Sequence, residues 1–360
     1  PGLMPPDKMP SIFRTDYATN STNSVWLSNP EQPIEPMLRV KGDTRTERTM
    51  RTRSGLMMVQ ARQAGSDGLP GTSFDLDSLQ ERMLSNQATA AQLLLDGLLV
   101  ACRANPVVSL ESGDVDLTEA CDVLDAWDRS YNLDSRGAHV FREFLRAMVT
   151  DGSNVPESIA VTMPFDADDP VATPAGFDPD NNADSLVALA QAVQLFNDAG
   201  VALDAPLGDL QSVTLNGERI PMHGGDQFEG GFNKMGLALR GNEYPAVTGS
   251  SASWVMVTEV AGDNTRARGL TAYSQSTDPT SENYSNLTKR FSEKDLPEIP
   301  FLLEDVEAQA LSTVELNEGT ADCAGDGWQA YAGQGATDEA SCRAMFQAAF
   351  EARITGFVDD

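Results

Sequence analysis

Two histidines, four cysteines and a large excess of carboxylates are the groups in this sequence that could do chemistry. Imidazole is the side chain that titrates near neutrality, so any Ser-His-Asp arrangement would have to use His139 or His223. His139 sits beside an apolar helical stripe, where a hydrogen-bonded structural role is the expected one. His223 lies in the loop Pro221-Met222-His223-Gly224-Gly225-Asp226 and is the freer of the two, although a loop position alone is weak evidence for a base. The pair Asp168-Asp169 could serve as acid and base, but reads better as surface charge. The run Asp178-Pro179-Asp180-Asn181-Asn182-Ala183-Asp184 alternates oxygen donors as a calcium loop does. It lacks the glycine at the sixth position, and Leu189 stands where the late bidentate glutamate belongs, so it reads as a solvated loop leading into a helix. No GxSxG, HExxH, GxxxxGK or GxGxxG pattern is present.

The cysteines form two pairs that are local in sequence, Cys102 with Cys121 and Cys323 with Cys342. No CxxC spacing or nearby histidine accompanies them, which favours two short-loop disulfides over a metal site. Disulfides in turn imply an oxidising compartment, periplasmic or secreted. The sequence calls for no cofactor, and structural calcium, though compatible with so many carboxylates, has no assignable ligands.

Charge narrows the partners. With 54 acidic against 25 basic residues and a net charge of −29, the surface repels phosphates, which argues against nucleic acid and against an anionic membrane. Such a surface suits high salt, because ions screen carboxylate self-repulsion. No run of 18 apolar residues is present to span a bilayer. The opening Pro1-Gly2-Leu3-Met4-Pro5-Pro6 has neither a charged nor an apolar leader region and reads like the interior of a longer chain.

The elements that must position these groups follow from periodicity. Apolar content of 41% over 360 residues supports one large domain or two ordinary ones. Residues 1 to about 70 read as loops with one strand around Val25-Trp26-Leu27. Between Ser73 and Cys102, Leu79, Met83, Ala88, Ala91, Leu94, Leu95 and Leu98 recur at helical spacing, as one long helix or two broken ones. Leu117 to Trp127 is helical. Val140, Phe141, Phe144, Leu145 and Met148 make a further i, i+3, i+4 stripe. The stretch 151–182 reads as an Asp/Pro-rich surface excursion. Ala183 to Ala199 is helical, with Leu186, Leu189, Ala190, Val193 and Leu195 available for burial. Strands follow at Val213-Leu215, Trp254-Thr258 and Leu270-Ser274. A last helix is expected over Ala340 to Ile354. The class is α+β, with a helical region over 73–200 and a strand region over 209–300. A Gly/Ala/Asp-rich extension, 317–360, follows a main body of 1–316.

One stretch carries more. Asp16-Tyr17-Ala18-Thr19-Asn20-Ser21-Thr22-Asn23-Ser24-Val25-Trp26-Leu27-Ser28-Asn29-Pro30 resembles a β-chain segment of the penicillin acylase family, in its acyl-homoserine-lactone and aculeacin acylase branch. Further matches follow in the family's order. They are Ala120-Cys121 leading to Trp127-Asp128-Arg129 and Leu133-Asp134-Ser135, Pro164-Phe165-Asp166, Gly224-Gly225-Asp226, and Arg268-Gly269-Leu270 through Ser274 to Pro279. The resemblance covers about residues 10–315.

It implies an N-terminal-nucleophile hydrolase with an αββα core, of which this chain would be part. Its precursor would cut itself so that a serine heads the β-chain and uses its own α-amine as base. That serine's segment and the α-chain are partners the resemblance places outside this sequence. The substrate implied is a linear amide, first an acyl-homoserine lactone, alternatively a penicillin or lipopeptide side chain. A non-catalytic binding protein on the same scaffold is the rival from another class. Within the chain, the resemblance implies an oxyanion-hole asparagine. The ungapped match puts Thr22 at its place, a departure from the family pattern, with Asn23 beside it and preferred because it keeps the amide. Arg51 matches an arginine that orients that asparagine, with Arg53 as second choice. Both also belong to a run with Arg45 and Arg48 that would otherwise read as surface. Cys102 and Cys121 fall where related acylases carry cysteines.

Overall fold

The computed structural model describes residues 5, 9–149, 154–236, 238–246, 251–262, 265–313, 323 and 326–355. The chain divides into two compact units, 1–301 and 302–360. The boundary expected at 316/317 lies outside the described residues.

In the first unit the helices come first. α1 (Met50–Gln63) starts at Thr49, whose hydroxyl accepts the N–H of Thr52, satisfying one of the amides a helix start leaves unpaired. α2 (Leu76–Met83) opens on a reciprocal capping box between Asp75 and Ser78. α3 (Thr89–Ala104) buries Ala90, Ala91, Leu94, Leu95 and Leu98 as its periodicity requires. A hairpin, β1 (Val107–Leu110) with β2 (Gly113–Asp116), leads to α4 (Thr118–Ala126) and α5 (Ala138–Met148). α5 carries the Val140/Phe141/Phe144/Leu145 stripe into the core.

β3 (Val161–Met163) and β4 (Ala175–Phe177) pair antiparallel. β4 presses on α3 where Gly97 removes the side chain: a Cβ there would stand 2.1 Å from the Phe177 carbonyl oxygen. α6 (Ala183–Ala199) ends at Gly200 in the left-handed conformation that closes many helices. It buries Phe196, while Leu195, one residue before, is exposed.

After α7 (Leu207–Leu210), β5 (Gln211–Leu215) and β6 (Glu218–Pro221) form a hairpin. Its turn, Asn216-Gly217, has positive φ at both residues, the preferred twist for a two-residue loop. β7 (Tyr244–Pro245) adds in parallel on the other side of β5. The last sheet has the order β10-β9-β8, from β8 (Trp254–Glu259), β9 (Arg266–Thr271) and β10 (Glu298–Ile299), with α8 (Asn286–Ser292) between the last two. Val255, Val257 and Leu270 join the helices in one continuous core.

The second unit holds α9 (Leu303–Gln309), a 3-10 segment Gly327–Gln334 and α10 (Glu339–Thr355). The Cys323–Cys342 disulfide anchors a small apolar cluster with Ala336, Trp328 and Tyr331, and Phe346 meets Tyr331 edge-on at 5.0 Å. Cys102 and Cys121 are likewise joined, tying α3 to α4 with Cα atoms 6.1 Å apart, within the usual span of a disulfide.

Three expectations are corrected. Val25–Leu27 is a 3-10 turn rather than a strand, capped by the Ser24 hydroxyl. α1 went unread because its sequence has no apolar stripe: Arg53, Ser54, Gly55 and Arg62 are buried instead, the two guanidiniums bonding loop carbonyls. The stretch 151–182 is no surface excursion, since Val155, Ile159, Val171 and Phe177 are buried. Composition misled there because short buried runs are interleaved with turn-making Asp and Pro residues.

Candidate active site

The Asn20–Ser24 turn and the start of α1 are built as one piece. Asn23 donates through Nδ2 to the hydroxyls of Thr52 at 2.8 Å and Thr49 at 3.2 Å, so its amide N–H groups hold the helix cap. Thr22 is exposed and left-handed at φ +68, and its N–H is accepted by the Asn20 side-chain oxygen at 2.9 Å. That bond aligns the Asn20 carboxamide. Buried Trp26 anchors the turn from below, with Arg48 stacked over its ring at 5.1 Å and Glu35 accepting its indole N–H.

Asn20 and Ser21 stand on the rim of an apolar cavity of about 300 Å³. Its walls include Met58, Phe74, Leu79, Met83, Phe232 and Met256, drawn from α1, the residue before the α2 cap, α2, the 230s loop and β8. Gly55 lets α1 approach that closely: a Cβ there would lie 3.3 Å from the Phe232 ring. Neither Thr22 nor Asn23 lines the cavity.

Arg51 is half-buried with its guanidinium over Phe232 at 5.9 Å, and its Nε has no hydrogen-bond partner. Burial draws its pKa down from the usual arginine value. It therefore shares Phe232 with the cavity that Asn20 borders. Arg53, the second choice, is fully buried and donates to the carbonyls of Val171 at 2.8 Å and Pro174 at 2.9 Å, fixing a loop. Burial lowers it to about 10. Arg48 is buried too, so the run 45–53 is not a surface stripe.

Both histidines are in the core. The Nε2 of His223 faces the Phe291 carbonyl at 2.8 Å and must donate, while Nδ1 accepts from the amides of Asn233 at 3.0 Å and Asn86 at 3.2 Å. Burial holds its pKa near 4. His139 is buried against Phe196, bonds the Ala202 carbonyl at 3.1 Å, and is likewise held to about 4. With neither ring at a cavity, a histidine base from this chain has no geometric support. Asp168 is paired with Arg45 at the surface, and the 178–184 loop folds on itself through Asp178 and Asn182. Among the described residues no group of three or more His, Cys, Asp or Glu is arranged to hold a metal.

Comparison with known proteins adds the decisive observation: the penicillin amidase family model matches residues 1–308. The chain belongs to the penicillin amidase family. It is 38% identical over 296 residues to aculeacin-A acylase of Actinoplanes utahensis, which covers 82% of this chain and 36% of that protein. It is 30% identical over 323 residues to acyl-homoserine lactone acylase PvdQ of Pseudomonas savastanoi pv. phaseolicola, covering 88% of this chain and 39% of the relative. The PvdQ protein of Pseudomonas putida gives 30% identity over a similar span. The chain thus spans less than two-fifths of the length of these relatives. The family match includes the Asn20–Asn23 turn, α1 and the cavity, and stops inside the second unit.

The cavity walls were not legible in the sequence. Phe232 follows the Gly230-Gly231 pair and has no periodic partner, while Met58 lies in a helix with no stripe to reveal it. Asn20 stands inside the family-like stretch, but the resemblance points to its neighbours Thr22 and Asn23.

Proposed function

We propose that this chain is part of a self-processing amidohydrolase of the N-terminal-nucleophile type, with an αββα core, that cleaves linear amides bearing an aliphatic acyl chain. Acyl-homoserine lactones are the first substrates to try. The observation that carries the reading is that Asn20 lines an apolar cavity while its side-chain oxygen accepts from the Thr22 N–H. A cavity walled by Met58, Met83, Met256 and two phenylalanines suits a flexible hydrocarbon, because thioether side chains adapt their packing. Two disulfides support export to an oxidising compartment, periplasmic or extracellular.

In this reading the nucleophile is a serine from the part of the family's length outside this chain, and its own α-amine takes the hydroxyl proton. That amine is suited to the work, since its unperturbed pKa of about 7.7 to 8 lies near operating pH. Attack on the amide carbonyl gives an acyl-enzyme and frees the amine, and water then releases the acid. Asn20 aims an N–H at the oxygen on which negative charge develops. Asn23, whose donors cap α1, supports the turn from behind, and Arg51 steadies the Phe232 wall.

The test is acyl release from an acyl-homoserine lactone by the full-length protein. Asn20→Ala should lower kcat by roughly 10²–10³ with little change in KM, the usual cost of one oxyanion donor. Thr22→Ala and Asn23→Ala should keep kcat within several-fold. Unaltered turnover in Asn20→Ala would remove the assignment.

A further inference from the structure

A second polar pocket, away from the Asn20 rim, gathers cations in a protein whose net charge is −29. It has a volume of about 470 Å³ and lies where α2, the turn 84–87, Asn132, β9 and the residue after α8 converge. Arg82, Arg268 and Lys294 line it. Two carboxylates, Asp77 and Glu81, stand at its rim, largely exposed, and each is already paired, with Arg268 at 2.7 Å and Arg82 at 3.0 Å.

Lys294 is the unusual member. It occupies the second residue past the end of α8, in the left-handed conformation at φ +59, a place that favours glycine or asparagine. The backbone there is pinned by the Gln80 side chain, which donates to its carbonyl at 3.2 Å. The half-buried ammonium reaches Asn132 Oδ1 at 2.5 Å, a neutral acceptor that Asn86 also uses. No carboxylate lies within ion-pairing distance of Lys294 among the described residues, and burial lowers its pKa while Asp134, Asp128 and Glu81 only partly oppose this. Arg268 spends Nη1 on Asp77 and Gln80 and has no partner assigned to Nε or Nη2.

We propose that this pocket binds a small oxyanion, a carboxylate or phosphate group, with Lys294 and Arg268 as its charged donors. A guanidinium with one edge free presents two N–H groups in the geometry such oxygens accept, and the ammonium supplies a point charge beside it. The Gln87 carboxamide, whose oxygen accepts from Gln92, completes the polar lining, while the Gln80 and Asn132 amides are spent on Lys294, Ser85 and Ser130. The global negative charge is a weak obstacle, because at physiological salt charges beyond about 8 Å are largely screened. The pocket is larger than a bare anion requires, so the oxyanion can carry an organic group.

The full-length protein should be melted in phosphate, succinate and chloride at matched ionic strength. Phosphate or succinate should raise the midpoint saturably above chloride. A shift with phosphate alone identifies an inorganic oxyanion, a shift with succinate alone an organic carboxylate, and both outcomes support the site. Lys294→Asn keeps a residue that tolerates the left-handed backbone, so it should fold, yet it should weaken binding roughly tenfold or more, as should Arg268→Gln. Equal responses in all three salts, or an unchanged response in Lys294→Asn, would overturn the proposal.

Discussion

The core beneath α5 and the face around α1 hold their buried arginines in different ways. Under α5, Arg142 is wholly buried yet bonded to Glu229 at 2.9 Å and to Gln211 at 2.9 Å, and it lies between the rings of Tyr244 at 4.9 Å and Tyr131 at 5.4 Å. Gln211 passes the network on to the carbonyls of Met222 and Gly224. Around α1, by contrast, buried Arg53 is held by the loop carbonyls of Val171 and Pro174, Arg51 lies over the Phe232 ring, and cavities border the helix. Each region keeps buried atoms without partners, Arg142 Nη2, Tyr131 Oη and His139 Nδ1 beneath α5 and Arg51 Nε, Arg53 Nη2 and Ser54 Oγ around α1, so what separates them is a buried ion pair on one side and cavities on the other. A buried ion pair fixes a scaffold, whereas a cavity beside a polar turn is where a ligand can bind.

Breaking the buried pair should have the largest effect. Arg142→Met strands the Glu229 carboxylate in the core and should cost about 3–5 kcal/mol, read from urea unfolding. Adding Glu229→Met should recover much of that loss, because a buried pair is held more by mutual dependence than by net gain. A single variant within 1 kcal/mol of wild type would show that the charge escapes burial, and the contrast between the regions would fail.

The contrast also explains how far the sequence could be read. α3, α5 and α6 were legible because their burial is apolar and periodic, and β5 and β8 because β-branched and aromatic residues alternate between turn signals; the strand expected at Leu270–Ser274 is β9 at Arg266–Thr271, displaced because its first half carries arginine, alanine and glycine rather than β-branched residues. α1 was not, because its inward face carries arginine, serine and glycine, residues whose fit depends on distant carbonyls such as Val171 and Pro174. The candidate site was half legible. The turn was found through resemblance, yet which of Asn20, Thr22 and Asn23 faces the cavity depends on the Thr49 and Thr52 hydroxyls more than 25 residues downstream.

Proton linkage sharpens the scaffold side next. His139 and His223 are held by burial at about 4, against 6.5 in an exposed chain. Between those values the unfolded chain binds protons that the folded one refuses. The stability these rings contribute is therefore complete above pH 6.5 and lost as pH falls toward 4, by roughly 2–3 kcal/mol for each ring. Urea midpoints measured from pH 7.5 to 4.5 should fall steadily, and His139→Gln should flatten part of that slope. A midpoint unchanged between pH 7 and 5 would mean that the rings are not buried as neutral groups.

The smallest effect separates two asparagines three residues apart. Asn23 donates to two threonine hydroxyls at the start of α1, one of them the helix cap, so Asn23→Ala should destabilise by about 1 kcal/mol, the usual worth of a cap or a net hydrogen bond. Asn20 is exposed and makes one bond within its own turn, so Asn20→Ala should stay within about 0.5 kcal/mol. Paired with turnover, the two variants give opposite signatures: Asn23→Ala loses stability and keeps chemistry, while Asn20→Ala keeps stability and loses chemistry. If both variants moved stability alike and turnover alike, the turn would act as one structural unit, and no single carboxamide in it could be assigned to the reacting oxygen.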